Sequence, residues 1–259
     1  MVENAIHPAV PADAVDKLPT RCRWWLRSGR LLQASTLVCL VSLLAFVDGW
    51  RYQGCMTPSV ANLVTNPERF ACTLVRFDEE NSRDPNREIV DGVARPREVV
   101  YAERLTDWVL RLCPTASEAL RLAARCQHLC RWMIPRDKYP ANRPGYLQWR
   151  ADLKKFHAER VGVILRELGY PEQIVTRVQA LNLKKDFPRD PDVRVLEDAL
   201  CLVFLQYQLP ELAARSEDDK MINALRKSWA KMTGTARAEA LKLSFGGRER
   251  SLLEVALRA

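Results

Sequence analysis

From Glu68 onward, apolar positions recur mostly at intervals of three and four, the spacing of helices with one buried face. Glu68 to Glu80 put Phe70, Leu74 and Phe77 on one side. Val99 to Leu112 align Val100, Leu105, Trp108, Val109 and Leu112 before Pro114 breaks the pattern. Ala116 to Ile134 read as one helix, striped by Leu120, Ala123, Cys126, Cys130 and Met133. Gly145 to Leu168 form a long helix stopped by Gly169, and Pro171 opens another through Leu183. Val193 to Tyr207 are apolar enough to predict a core helix. Asp219 to Met232 hold Ile222, Leu225, Trp229 and Met232 in register, and residues 248–258 close with a short helix. Residues 81–97, 135–144 and 186–192 concentrate Pro, Asp, Asn and Gly and read as loops. With no persistent alternation and no repeat, the pattern predicts an all-α bundle.

The first 67 residues have another character. Leu31 to Val47 form a 17-residue, mostly apolar run behind an arginine-studded flank. A membrane-spanning helix needs about 20 residues, so residues 31–47 are a marginal span. A signal anchor, a late secretory signal, an organelle presequence and a misassigned start codon all fit this stretch. Residues 48–67, with Gly54, Pro58 and Pro67, read as linker. The expected division is therefore an N-terminal extension, 1–67, and a helical domain, 68–259. That domain is expected to be cytoplasmic or organellar, and membrane-anchored if residues 31–47 insert.

Charge narrows the partners. The chain of 259 residues carries 40 Lys and Arg against 32 Asp and Glu, a formal net charge of +8. Such a balance favours anionic partners: nucleotides, phosphorylated metabolites or nucleic acid. The eight cysteines include no CxxC pair, which argues against a zinc knuckle or a thioredoxin-like site. Those in apolar helical patterns, Cys113, Cys126, Cys130 and Cys201, are expected to be buried thiols.

Candidate chemistry starts from three histidines: His7 in the tail, His128 and His157 in the helical region. If one helix runs through residue 134, His128 lies about 200° from Cys126 and Cys130, on a cationic face with Arg121, Arg125 and Arg131. His157 shares the stripe of Leu153, Val161 and Ile164 and should face inward. Glu197 and Asp198 interrupt the apolar run LEDALCLVFL, residues 196–205. Buried carboxylates need a cation or a metal, so this pair is the main local anomaly.

The stretch from Arg125 to Arg160, RCQHLCRWMIPRDKYPANRPGYLQWRADLKKFHAER, resembles the hallmark of the family called domain of unknown function 4202. FDEENSRDPN (77–86), VVYAERLTDWV (99–109) and LEDALCLVFL support the resemblance, which covers roughly residues 68–259. It implies a compact helical domain and no particular activity.

The layout also resembles, more distantly, the metal-dependent phosphohydrolases of the HD superfamily, whose histidines and acids point into a helical bundle. That resemblance implies a compact HD-like helical bundle. Glu103 falls near the first ligand, Gln127-His128 replace the His-Asp pair, and His157 matches a later histidine. Asp198 or Glu197 matches the final acid. The pattern departs at Glu103 and Gln127. His128, His157 and Asp198 then stand as ligands for one divalent Mn, Fe or Zn ion, with Glu103 or Glu197 as a further ligand or general base. Arg125, Arg131, Arg136, Lys138, Tyr139, Arg143, Tyr146 and Arg150 stand as phosphate or ligand contacts. The expectation is a metal-dependent hydrolase of a nucleotide or small phosphate ester. The alternative is a non-enzymatic basic module for RNA or an acidic partner, with Trp132, Tyr139, Tyr146 and Trp149 as stacking surfaces.

Overall fold

A computed structural model describes residues 64–258. The first helix, α1 (Pro67–Asn81), is started by Asn66, whose side chain accepts from the Arg69 N–H, with Pro67 at the first helical position. Where residues 81–97 read as a loop, the chain instead forms an antiparallel hairpin, β1 (Arg87–Val90) and β2 (Val93–Pro96). Val90 faces Val93 across it, so Asp91 and Gly92 make a two-residue turn. Both have positive φ, 50° and 79°, as a tight hairpin of this hand requires. Four-residue strands are too short for alternation to register against the turn residues around them.

Helices follow almost without interruption: α2 (Arg97–Leu112), α3 (Glu118–Cys126), α4 (Arg143–Glu167), α5 (Glu172–Leu183), α6 (Pro191–Val203), α7 (Leu209–Arg215), α8 (Asp218–Lys231), α9 (Gly234–Leu241) and α10 (Gly247–Leu257). The all-α reading holds apart from the hairpin. The π-helical turn Phe204–Gln208 joins α6 to α7. Helix α2 packs against α3 and α6, α4 lies along α5, α3 also meets α5, and α8 pairs with α10. Their stripes meet in one core that includes Leu105, Leu120, Leu122, Ile164, Leu165, Leu181, Leu196 and Leu202, all essentially inaccessible. Each such leucine contributes roughly 1.5–3 kcal/mol through burial.

One expected helix is cut short. The apolar stripe continues past Cys126, but the backbone leaves the helix there and passes through Leu129 N–H to Cys126 O and Arg131 N–H to His128 O turns. Cys130 takes a left-handed conformation, φ 56°, and its N–H is captured by Asn81 Oδ1 at 3.0 Å. Met133, placed on the buried stripe by periodicity, is 56% exposed. The 135–144 loop contains a single 3-10 turn, Arg136–Lys138.

Cys126, Cys130 and Cys201 are buried, as expected, whereas Cys113 is half-buried. The apolar run 31–47 lies outside the described residues. Among the described residues, no helix is long and apolar enough to cross a membrane.

Candidate functional site

The break after α3 is what builds the site. An unbroken helix would aim His128 away from the α3 stripe, whereas the turn at 127–130 brings it back over the first turn of α2. There its imidazole stacks on Tyr101, with ring centroids 4.0 Å apart and planes 14° from parallel. The His128 side chain is only 20% exposed. Two residues of the FDEENSRDPN stretch hold this arrangement. Asn81 binds the Cys130 N–H, and Asp84 Oδ2 accepts from the Glu98 N–H at 3.1 Å. Both are fully buried, so the α1–hairpin corner ties the start of α2 to the turn that carries His128.

His157 enters from α4. Its Nδ1 lies 2.8 Å from the Leu129 carbonyl oxygen, which can only accept, so Nδ1 carries the proton and Nε2 keeps a free lone pair. That Nε2 is buried without a hydrogen-bond partner. The rings of His128 and His157 are 6.0 Å apart. Glu98, from the first turn of α2, puts Oε2 3.3 Å from His128 Nδ1 and Oε1 3.7 Å from Arg131 Nε. Its Oε2 makes no aligned hydrogen bond, although the residue is only 7% exposed.

The electrostatics follow from this packing. Burial raises the Glu98 carboxyl to about 7, against a partial opposing pull from Arg131. Burial and then His128 depress His157 to about 3, despite its bond to Leu129. His128 is pushed well below its ordinary value by burial and by the charges of Arg131, Lys184 and Arg150. Both imidazoles are neutral at pH 7, next to a carboxyl that exchanges its proton near that pH.

The comparisons with known proteins bear on residues 71–253, which match the family model described as domain of unknown function (DUF4202). The chain belongs to this family. No curated protein and no solved structure shows significant similarity to it. The DUF4202 match spans every member of the cluster, from Glu98 to Glu197.

The DUF4202 domain treats the sequence candidates unequally. It gathers His128, His157 and Arg131, and the Arg150 charge acts on the same ring. Glu197 sits between Lys184 and Lys231, with Lys231 Nζ 2.9 Å from Oε1. Burial works to raise its pKa, but the two ammonium groups overcome this and hold it near 2. Asp198 accepts from the Thr233 N–H at 2.9 Å and the Thr233 hydroxyl at 2.5 Å, at the start of α9. Glu103 pairs with Arg95 at 2.7 Å, and Arg125 grips Asp78 through two bonds of 2.7 and 2.6 Å. Arg136 donates to the Tyr139 and Pro140 carbonyls, and the Tyr139 hydroxyl donates to Asp152. Lys138 and Arg143 are exposed, and Tyr146 is 41% exposed. Among the described residues, no three His, Cys, Asp or Glu side chains gather closely enough to hold a metal ion. Asp198 therefore does not complete a three-ligand set with the two histidines, because Thr233 occupies its carboxylate.

Glu98 and Lys184 escaped the sequence reading. Glu98 precedes the expected helix start by one residue, yet it lies on the α2 stripe of Ala102, Leu105 and Val109. An acid heading an apolar stripe was the available signal. Lys184 ends α5 in a left-handed conformation, φ 56°, which periodicity does not reveal.

Proposed function

We propose that the domain is a hydrolase of a nucleotide or another small phosphate ester, working with one divalent ion held by His128 and His157. The observation that carries this reading is the buried, unpartnered Nε2 of His157, opposite a second neutral imidazole. A histidine whose Nδ1–H is fixed on a backbone carbonyl presents Nε2 in the tautomer and orientation of a metal ligand. Imidazoles kept neutral at pH 7 need lose no proton to bind. Two imidazoles suit Mn, Fe or Zn. Such an ion would activate water and polarise a phosphoryl oxygen.

The chain's own part falls on Glu98. A carboxyl with a pKa of about 7 can give or take a proton at neutral pH, as a general acid or base must. Its contact with His128 Nδ1 also steadies that ring. Glu197, fixed between two lysines, and Glu103, paired with Arg95, have no free role of this kind.

The binding-module reading has less behind it. The Trp149 N–H donates to Ile134 O at 2.9 Å and its face carries Arg131, 4.8 Å from the ring centre. Trp132 packs on the core and the Tyr139 hydroxyl is bound to Asp152. Tyr146 alone of the four aromatics is openly exposed, which is little surface for stacking bases.

The test is the metal content of the purified full chain by plasma mass spectrometry, with His128→Ala and His157→Ala as variants and circular dichroism to check folding. About one ion per chain, lost in both folded variants, supports the proposal, as does metal-dependent release of phosphate in a screen of phosphate esters. No ion in the wild type after reconstitution with Mn, Fe and Zn would end it.

A further inference from the structure

The loop before α4 is packed onto the first turns of that helix. The Trp149 N–H donates to Ile134 O at 2.9 Å, the Tyr139 hydroxyl lies 2.9 Å from Asp152 Oδ2, and Arg131 lies over the Trp149 ring. Gly145 lets the two segments close up: a Cβ there would sit 2.3 Å from the Pro140 carbonyl oxygen. The Tyr146 ring meets Trp149, with centroids 5.9 Å apart. The inward side of this part of α4 is thus spent on the loop and the core, and its outward side is left to solvent.

That outward side mixes cations with exposed apolar groups. At 3.6 residues per turn, Arg143, Leu147, Arg150 and Lys154 fall within about 60° of arc, with Tyr146 at the edge. Leu147 is 55% exposed and Tyr146 41%, and on the adjoining loop Met133 is 56% exposed. Arg150 NH1 lies 3.2 Å from the Tyr146 hydroxyl. Among the described residues, no carboxylate lies within ion-pair reach of Arg143, Arg150 or Lys154. Residues 131–155 hold seven bases against Asp137 and Asp152. Glu98 and Glu159 reach Arg131 and Lys155 from outside the stretch, so seven bases face four acids and the surface stays positive.

We propose that this outer face of α4 is a docking surface for an anionic phospholipid bilayer. The charge is complementary: unpaired guanidinium and ammonium groups attract acidic headgroups, while Leu147 and Tyr146 enter the interfacial layer between them. The long basic side chains can lay their stems along the same apolar surface and keep their charges at the headgroups. The aliphatic groups favour lipid over nucleic acid. Leucine and methionine offer no ring for a base to stack on, and Arg131 already covers one face of Trp149. The proposal depends neither on the metal nor on the hydrolase reading.

The test floats the full chain with vesicles of phosphatidylcholine alone and of phosphatidylcholine mixed equally with phosphatidylserine. Arg143→Gln combined with Arg150→Gln removes two exposed cations, Leu147→Ser removes the exposed leucine, and Lys155→Gln, off this stripe and paired with Glu159, is the control. The expected result is tighter binding to the mixed vesicles, weakened about tenfold by the double arginine variant, severalfold by Leu147→Ser, and unchanged in Lys155→Gln. Hydrogen exchange on the same samples separates this face from residues 31–47: vesicle-dependent protection is expected in peptides covering residues 133–150. Equal binding to both kinds of vesicle, patch variants that bind like the wild type, or protection confined to other segments overturns the proposal. So does oligouridylate binding that is tighter than vesicle binding and indifferent to Leu147→Ser, a result that would assign the face to RNA.

Discussion

Glu98 and Glu197 are the same kind of residue on the apolar stripes of two helices that pack together, α2 and α6, yet their fates are opposite. Glu197 has two lysines within ion-pair reach and is held near 2. Glu98 has a distant arginine and a neutral imidazole, and burial carries it to about 7. A buried carboxylate that is fully paired fixes a structure; one left short of partners becomes a proton carrier. Looking for the acid inside the longest apolar run found the first kind. The chemically available group sits where a helix begins, in a region whose start the pattern placed two residues late.

The difference can be strained hardest at Glu197. Glu197→Ala leaves Lys184 buried without its counter-charge, so the domain should lose about 3–5 kcal/mol in urea denaturation at pH 7. Because the folded pKa of Glu197 is depressed, its stabilisation is present above about 4.5 and is lost as pH falls toward 2. The gap between wild type and variant should therefore narrow with acidification; a gap independent of pH between 7 and 3 would refute the pairing argument.

Glu98 should behave in reverse. Its folded pKa is raised, so its contribution is complete below about 4.5 and fades as pH rises through about 7. Glu98→Gln should accordingly stabilise the fold at pH 8, by about 2 kcal/mol, and change little at pH 4. Destabilisation at pH 8 would mean that Glu98 is a paired ion after all.

Asp198 tests the same contrast more gently. Asp198→Ala removes the acceptor of both Thr233 bonds and should cost about 1–2 kcal/mol while leaving bound metal unchanged. Loss of metal from a folded Asp198→Ala chain would restore it as a ligand. The smallest effect is expected at Arg136: Arg136→Gln should cost less than about 1 kcal/mol in urea denaturation, from the loop carbonyls.

Much of the fold was legible because helix periodicity is long-range and redundant. Leu105, Trp108 and Val109, or Leu196 and Leu202, announce their faces repeatedly, and the structure buries them. The failures lie where a single contact overrides the pattern. Nothing around Cys130 tells that Asn81, 49 positions earlier, will catch its N–H in the turns that follow α3, where His128 stacks on Tyr101 instead of continuing the helix. The Asp91-Gly92 turn was visible, but the strands it joins were too short to be. For the site, His157 was read correctly as inward-facing, and the arginines of the 125–150 stretch were noticed without a way to tell Arg131 and Arg150 from Arg125 and Arg136. That sorting depends on where Asp78 and the loop carbonyls come to lie in space.

The comparison is tested most directly by carboxyl carbon-13 NMR of the full chain labelled at glutamate, followed from pH 3 to 9, with Glu98→Gln and Glu197→Gln assigning the two resonances. Glu98 should titrate with a midpoint near 7, and the Glu197 signal should remain that of the ionised form down to the lowest pH. A Glu98 midpoint near 4.5, or a Glu197 that titrates above it, would contradict the division between a proton-carrying acid and a fixed one.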